Sequence, residues 1–506
     1  MDSQIEKNGK LPLEEALEKT GYGIYNYLII ALAGIGTIAF VALTFGSTII
    51  VPASACELAT TSAQQGLLIA VPVLGAVIGT LLWGYLGDTR GRRRMLLLSL
   101  TLGGTSNALA SISVNWLMLM IVQLFTVTFG SGIYVLSMTL LSESVPVRKR
   151  NVAMLLVSSI FLLGQGLISV MAIPVIPLSF SYYMPALGIY WNSWRTMQVV
   201  FSLPCVLCGI CLLFMQESPK YALASGDEEW SMRILETFYR VNNGKRAEEF
   251  GVKGLLKETG TAEKKSAKDQ ILPLFKMPYL KYTLVMASLF ILHQIVIAFL
   301  VWAPTITNKF MKLLETGEGT DFTLCQIIDA EVEPDPNDVP CSLNRNALLL
   351  MFGVCAMHSF FNTILSQIVD KTGRRNMAMV VASICGVAGI LINLIPNAVG
   401  TVVLFMVFSI ALVSMGFYTT ISVALFPTHL RTTAVALTMI GARLMSVFFI
   451  QIVNYLLTNW CAGGFYVCSA LFGSSVLLLA LIPDDRRLRA PPPKDSETTE
   501  EKRSSS

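Results

Sequence analysis

Long apolar runs alternate with short polar segments along almost the whole chain. A bilayer core about 30 Å thick requires about 20 consecutive apolar residues in a helix that crosses it. Six runs of about that size precede a polar stretch over 216–280 and six follow it; they lie near 27–51, 65–87, 95–114, 117–141, 152–175, 196–215, 282–304, 347–369, 377–395, 399–426, 433–457 and 463–483. The pattern predicts an all-α integral membrane protein with twelve transmembrane helices.

The runs and the polar segments between them also predict the order of domains. In chain order we expect an N-terminal tail, a six-helix bundle, a linker with short helices, a second six-helix bundle with an outer loop inside it, and a disordered C-terminal tail: 1–26, 27–215, 216–280, 281–484 with the loop over 306–345, and 485–506. Within the linker, apolar residues at helical spacing predict an amphipathic helix over 227–245.

The composition supports a membrane protein. Hydrophobic residues make up 54% of the 506 residues and charged residues 14%, whereas a soluble protein of this size is roughly one-quarter charged. The mean hydropathy is +0.62. Basic residues lie in short turns between apolar runs, which argues against nucleic-acid binding, and neither a nucleophile–base pair nor a phosphate-binding loop is evident. We therefore expect a protein that is not an enzyme, uses no cofactor or metal, and lies in a lipid bilayer.

Lysine and arginine are divided unevenly between the two sides of the predicted bundle. With the spans placed as above, 32 of the 37 Lys and Arg residues fall on one side, while Lys309, Lys312 and Arg345 fall on the other. Arg195 lies at the mouth of span six, and Arg443 lies inside span eleven. Because short loops rich in Lys and Arg remain on the cytoplasmic side, we predict that both termini are cytoplasmic.

Two short sequence motifs each occur twice, and the distance along the chain between the two copies is nearly the same for both motifs. "DTRGRR" over 88–93 and "DKTGRR" over 370–375 share an aspartate, a glycine and two arginines at the same spacing, 282 residues apart. A proline followed four residues later by an arginine occurs over 146–150 and again over 427–431, 281 residues apart. The repeat predicts two parallel six-helix halves, an arrangement that places a substrate site between the halves near the membrane midplane.

Four segments together resemble the major facilitator superfamily of membrane transporters. They match its signatures between helices two and three, at the end of helix four, after helix six and at the end of helix ten: "GYLGDTRGRRRM" (84–95), "SESVPVRKR" (142–150), "QESPKYAL" (216–223) and "LFPTHLRTTAVAL" (425–437). Within the sugar-porter and organic-ion branch, the chain most resembles the synaptic vesicle glycoprotein 2 group and its relatives, because its long outer loop follows helix seven.

The resemblance implies transport by alternating access, in which cytoplasmic charge networks hold one state closed. The residues that match the gate motifs are Asp88, Arg92, Glu143, Arg150, Glu217, Asp370, Arg374 and Arg431. In the second half Ala424 stands where Glu143 stands in the first half. We therefore expect a weaker network there.

The resemblance also implies a small-molecule substrate, a possible coupling ion, and a monomer in the plasma membrane or in an intracellular vesicle membrane. We favour small organic ions, and anions or carboxylates in particular. A vesicle-glycoprotein-like protein that does not transport but acts in trafficking or binding is one alternative, and a sugar facilitator is another. Span one contains no Asp or Glu, which argues against the usual proton–sugar symport of this branch.

Polar and aromatic residues inside the spans are the candidate substrate ligands. They are Arg443, His293, Gln294, Gln165, Tyr134, Tyr418, Phe417, His358 and Asn362. Arg443 is the only Lys or Arg deep in any span, and a charge in the membrane is costly, so we expect it to bind an anion; the alternative is a packing arginine bonded to backbone carbonyls. For His293 a protonation role and a neutral interhelical hydrogen bond both remain open, and the aromatic residues are compatible with simple packing.

Two cysteines share the outer loop. Cys325 and Cys341 lie sixteen residues apart in a compartment that we expect to be oxidising, which predicts a disulfide between them. Cys56 and Cys461, in other outer loops, form an alternative pair. The cysteines inside apolar runs are expected to be packing residues.

Overall fold

The computed structural model describes residues 10–256, 272–277, 279–315, 317, 321–330 and 343–483. The first half contains α1 (Leu13–Lys19), α2 (Ile24–Phe45), α3 (Ser47–Ser54), α4 (Ser62–Arg90), α5 (Arg92–Ala110), α6 (Trp116–Ser144), α7 (Val147–Ala172), α8 (Ser193–Val200) and α9 (Leu203–Leu213). A two-residue strand, β1 (Lys10–Leu11), precedes α1, and an antiparallel hairpin of β2 (Tyr182–Met184) and β3 (Ile189–Trp191) lies between α7 and α8.

The linker and the second half follow. The linker contains α10 (Pro219–Ala224), α11 (Glu228–Asn243), β4 (Gly254–Leu255) and the 3-10 turns Ala247–Phe250 and Leu272–Phe275. The second half contains α12 (Tyr279–Glu315), α13 (Leu324–Asp329), α14 (Arg345–Thr372), α15 (Arg374–Leu391), α16 (Ala398–Ser409), a 3-10 turn (Ile410–Val413), α17 (Ser414–Leu425), α18 (Thr428–Asn459), α19 (Cys461–Gly473) and α20 (Ser475–Ala480). The predicted amphipathic linker helix is α11, and α12 continues well beyond the apolar run that predicted it.

Eleven spans in the described part of the chain are long and apolar enough to cross a membrane. The remaining helix of the predicted twelve, α5, begins with three arginines that lower its hydropathy, but it is 19 residues long and packs against α6 and α9. The predicted twelve-helix membrane fold is therefore confirmed, with α5 as the twelfth span.

The repeated turn has the same backbone conformation in both halves. Gly91 lies at φ 100° and ψ 143° between α4 and α5, and Gly373 lies at φ 83° and ψ 143° between α14 and α15. Each ends one helix and begins the next at a positive φ that L-residues with a side chain rarely adopt. The two halves thus share the turn that the sequence repeat predicted.

The second arginine after each repeated glycine, Arg93 or Arg375, bonds to equivalent positions in the two halves. Arg93 donates from Nε and Nη2 to the carbonyls of residues 212 and 213 at the end of α9, over 3.2 and 3.0 Å. Arg375 donates from the same two atoms to the carbonyls of residues 479 and 480 at the end of α20, over 3.0 and 3.2 Å. In each half this arginine fastens the third helix to the sixth.

The bundle has two ends that differ in character. We call the end with residues 90–94 and the linker the basic end, and the end with α13 and the β2–β3 hairpin the loop end. Each half has its own buried apolar cluster, and the clusters exchange members only at the loop end: Val51, Leu68, Ile69, Ala70, Ala110 and Leu119 join the second half's cluster, and Leu343 and Leu348 join the first half's. The described residues therefore pack the halves together at the loop end.

Candidate functional site

An aromatic wall in the first half lies near mid-depth of the bundle. It is formed by Phe40 of α2, Tyr134 of α6 and Phe161 of α7, with Phe45 beside it. The ring centroids of Phe40 and Tyr134 are 5.5 Å apart, and those of Tyr134 and Phe161 are 5.4 Å apart. These distances lie in the range of attractive ring contacts. Tyr134 was a predicted ligand, whereas no sequence signal singled out the three phenylalanines.

Arg443 faces this wall from the second half. It lies at the middle of the 32-residue helix α18, and its Nη1 donates to Thr80 Oγ1 of α4 over 3.4 Å. Its guanidinium lies within electrostatic range of the Tyr134 side chain. No carboxylate among the described residues pairs with Arg443. A cation in the middle of a span without a carboxylate partner in the described part of the chain could bind an anion.

A second polar group lies inside the second half. His293 of α12 is 1% exposed; its Nε2 lies 3.3 Å from the Leu412 carbonyl, and its ring is 6.1 Å from that of Tyr418. Its Nδ1 has no hydrogen-bond partner among the described residues. The neighbouring Gln294 donates to the Phe290 carbonyl of its own helix. The structure thus brings His293 and Tyr418 together, with Phe417 buried next in sequence.

The predicted pair on α14 is divided between two environments. His358 is buried inside the second half, where its Nε2 lies 2.7 Å from Ser409 Oγ of α16. Asn362 instead crosses to the first half and donates to Ser159 Oγ of α7 over 3.4 Å. Gln165, also on α7, is buried with its Nε2 unpaired among the described residues. Asn362 and Gln165 therefore lie along the α7–α14 seam.

Four of the predicted gate residues belong to one network at the basic end. Arg92 Nη2 lies 3.0 Å from Asp88 Oδ1, and Arg92 Nε lies 3.0 Å from Glu143 Oε2. Ser218 of the linker donates to the same carboxylate of Glu143. Glu217 Oε1 accepts the N–H of the next arginine, at position 93, over 2.9 Å. The network therefore binds α4, α5, α6 and the linker into one unit.

The other gate residues have different surroundings. Arg150 Nη2 contacts Glu14 of α1 at 2.8 Å rather than Glu143. The side chains of Asp370 and Arg431 lie outside the described residues, and Arg374 begins α15. The expectation of a weaker second network stays a prediction.

The predicted disulfide between Cys325 and Cys341 is wrong, because Cys325 has a different partner. Cys325 is bonded to Cys461, with Cα atoms 5.6 Å apart, because α13 packs beside the turn between α18 and α19. Cys341 lies outside the described residues. Cys56 forms another disulfide, so the alternative pair with Cys461 is also excluded. Separation along the chain predicted the partner poorly because the fold brings distant outer segments together.

A buried ion pair at the loop end was missed from the sequence. Arg195 Nη2 lies 2.6 Å from Glu57 Oε1, and the guanidinium stacks on the Trp194 ring at 4.3 Å. Glu57 Oε2 also accepts N–H groups from Asn192 and Trp194. The available signal was that Glu57 is the only charged residue over 52–64 and Arg195 the only one over 173–195.

Comparisons with known proteins agree with this architecture. The family model described as Major Facilitator Superfamily matches residues 32–450. Synaptic vesicle 2-related protein from Xenopus laevis is 30% identical over 227 residues, which cover 44% of this chain and 38% of that protein. Synaptic vesicle glycoprotein 2B from Homo sapiens is 24% identical over 229 residues, which cover 45% and 34% of the two chains.

The matches leave most of each relative uncovered, since the chain spans between about a third and two-fifths of the curated relatives it matches. A third relative, putative transporter svop-1 from Caenorhabditis elegans, is 26% identical over 230 residues, covering 46% of this chain and 42% of that protein.

Solved structures share the fold over almost the whole chain. The D-xylose-proton symporter superposes with a TM-score of 0.66 at 15% identity, covering 92% of this chain and 100% of that one. The inward-open xylose transporter XylE from E. coli superposes with a TM-score of 0.65 at 15% identity, covering 91% and 97%. From its repeated halves, its motif geometry and these matches, the chain belongs to the major facilitator superfamily.

Proposed function

We propose that this protein carries small organic anions across a membrane by alternating access, with Arg443 as the anion ligand. The observation that carries the proposal is the position of Arg443 at the middle of α18, facing the first half with no carboxylate partner among the described residues. A guanidinium offers paired N–H donors that match a carboxylate. An anionic substrate would supply the missing counter-charge.

The aromatic wall supports an organic rather than an inorganic anion. Rings of Phe40, Tyr134 and Phe161 offer apolar area beside the guanidinium. A carboxylate with an apolar or aromatic body would bind the charge at one end and bury its body against the rings at the other.

The contacts between the halves support a rocking motion. Each ion pair whose two side chains are described lies within the first half, the N-terminal segment and the linker. Among the described residues, few direct hydrogen bonds join the halves; examples run from Asn454 to the Ser62 carbonyl (2.9 Å) and from Ser359 to the Ser159 carbonyl (3.0 Å). These bonds join neutral groups, so they can break without leaving a buried charge unpaired; the bond from Arg443 to Thr80 Oγ1 is the exception. This supports movement of one half against the other as a unit.

The distribution of charge and the position of the disulfide support one orientation of the bundle in the membrane. Most Lys and Arg among the described residues lie at the basic end, which favours a cytoplasmic position for that end and for both termini. The Cys325–Cys461 disulfide lies at the loop end, which suits an oxidising compartment. We infer a monomer in the plasma membrane or in a vesicle membrane, with a coupling ion as a possible second cargo.

Uptake into reconstituted proteoliposomes tests the proposal. A panel of radiolabelled aryl carboxylates is compared with neutral hexoses and pentoses. Loss of a hydrogen-bonded charge contact is worth about 1.5–3 kcal/mol, so Arg443→Gln is expected to raise the apparent KM for the anion about 10- to 100-fold, and Arg443→Lys to raise it less. Arg345→Gln, which removes a charge at the end of a span, is the matched control. Unchanged anion affinity in Arg443→Gln would refute the assignment.

A sugar facilitator is the second candidate. The fold resemblance to a D-xylose-proton symporter supports it, whereas the absence of Asp or Glu from Ile24–Ser54 argues against proton coupling of the usual kind. Uptake of the neutral sugars but not of the anions would favour this candidate. Uptake of no compound, together with a trafficking defect on deletion, would favour a non-transporting role, which the similarity to synaptic vesicle glycoproteins supports.

A further inference from the structure

The N-terminal segment over 10–26 is fixed to the linker by several polar contacts. β1 pairs in parallel with β4, and Lys10 Nζ lies 2.9 Å from Glu228 Oε1 of α11. At the other end of the segment, Asn242 of α11 donates to the Gly21 carbonyl over 3.2 Å and accepts the Tyr25 N–H over 3.0 Å. Helix α1 is therefore held in a defined place beside the first bundle.

From this position α1 presents two carboxylates to the first turn of α7. Glu14 and Glu18 are four residues apart, so they lie on one face of α1. Glu14 contacts Arg150 Nη2 with both oxygens, at 2.8 and 3.2 Å, and Glu18 accepts the Arg148 N–H over 3.2 Å. Negative charge is favourable at the N-terminus of a helix, so both carboxylates stabilise the contact between α1 and α7.

Arg150 belongs to the repeated motif that was assigned to the gate. The acid of the same motif segment, Glu143, already pairs with other residues and does not contact Arg150. Glu143 is bonded to Arg92 and Ser218. Arg150 Nε is buried and has no hydrogen-bond partner among the described residues, so the guanidinium has a free donor besides the one that Glu14 uses. Arg150 is thus held by α1 while the halves are packed together at the loop end.

We propose that Glu14 is a gating residue that no family motif contains. By holding Arg150, α1 stabilises the arrangement packed at the loop end, and closure of the basic end requires this contact to be released. The N-terminal segment and the linker then act as one part of the gate. This inference rests on the alternating-access mechanism proposed above, but it concerns a position outside the substrate site.

The test measures the distance between the halves at the basic end and needs no substrate. Spin labels are placed at exposed positions of α7 and α14 by Lys149→Cys and Gln367→Cys, and distances are measured by double electron–electron resonance in lipid nanodiscs. The same protein without these two substitutions gives the background from native thiols. A partly exposed ion pair is worth up to about 1 kcal/mol, so Glu14→Gln is expected to raise the ratio of short to long distances about two- to fivefold.

Two matched variants make the result specific. Glu18→Gln loses a looser pair on the same helix face, in which Arg148 is 88% exposed and 3.9 Å away, and it is expected to leave the ratio nearly unchanged. Glu14→Asp keeps the charge but shortens its reach, and it is expected to give an intermediate ratio. Equal ratios in Glu14→Gln and Glu18→Gln would overturn the inference, as would a shift toward longer distances in Glu14→Gln.

A further variant separates failure of this inference from failure of the transport mechanism. Gly66→Trp blocks packing of the halves at the loop end, because a Cβ at Gly66 would already lie 2.8 Å from Gln451 Oε1. It is expected to shift the labels to short distances. A shift in Gly66→Trp without one in Glu14→Gln rejects the role of Glu14 alone. If the distance between the labels changes in neither Gly66→Trp nor Glu14→Gln, the result rejects alternating access and therefore also the role of Glu14.

Discussion

Replacing Glu57 by glutamine removes the counter-charge of a buried arginine while keeping the size of the side chain. Arg195 is 1% exposed and also donates to three backbone carbonyls: Tyr190 at 3.0 Å, Ser111 at 2.6 Å and Ser113 at 2.9 Å. These bonds join the loop ends of α5 and α8 to the β2–β3 hairpin. Loss of Glu57 would leave the charge in place without its partner.

The expected loss of stability follows from this geometry. Removing one partner of a buried ion pair destabilises a protein by about 3–5 kcal/mol. Glu57 is 25% exposed, so water can replace part of its contact, and the lower limit of about 3 kcal/mol applies to Glu57→Gln. Glu18→Gln is the matched control, because the pair with the exposed Arg148 is worth less than about 1 kcal/mol.

Equilibrium unfolding in mixed micelles with increasing dodecyl sulfate measures both values. Arg195→Met and the double variant Glu57→Gln with Arg195→Met complete a double-mutant cycle, in which an interaction between the two residues appears as non-additivity. The double variant should lose less stability than the two single variants lose together, because Glu57 has no charge left to pair once Arg195 is gone. The reasoning is refuted if Glu57→Gln and Glu18→Gln unfold at the same detergent fraction, or if the two losses are additive.

Three further outcomes are expected. Gly66→Trp should abolish uptake by preventing packing at the loop end, whereas Gly353→Trp, at an exposed position of α14 where a Cβ meets nothing within 4 Å, should retain it; equal uptake by both variants would contradict this. Cys461→Ser should free the thiol of Cys325 for labelling and lower the unfolding free energy by about 2–4 kcal/mol, and the absence of a new reactive thiol would exclude the disulfide. His358→Ala should lower stability by about 1–3 kcal/mol, since it removes the buried hydrogen bond between His358 Nε2 and Ser409 Oγ and leaves a cavity, without changing the KM for substrate; a raised KM with unchanged stability would instead make His358 a ligand.

The architecture could be predicted because it depends on local patterns. Each span is an apolar run long enough to cross the bilayer, and each repeated turn needs a glycine at positive φ followed by arginines, as Gly91 and Gly373 show. The network of Arg92 with Glu143 was also predictable, because both belong to short motifs with fixed spacing.

Contacts between distant segments could not be predicted in the same way. The partner of Cys325 is set by the packing of α13 against the turn before α19, 136 residues along the chain. The partner of Arg150 is a glutamate of the N-terminal segment, which no periodicity distinguishes from its neighbours Glu15 and Glu18. The environments of His358 and Asn362 diverge although the residues share a helix face, because one side of α14 borders its own bundle and the other borders α7.

The Cys325–Cys461 bridge has a mechanical consequence for the second half. It covalently ties the helix that follows α12 to the turn that follows α18. The bridge therefore limits how far the loop ends of the seventh and eleventh spans can separate, and α12 and α18 also pack against each other. If the second half moves as one unit, as proposed above, Arg443 and any anion bound to it would keep the same second-half neighbours on both sides of the membrane.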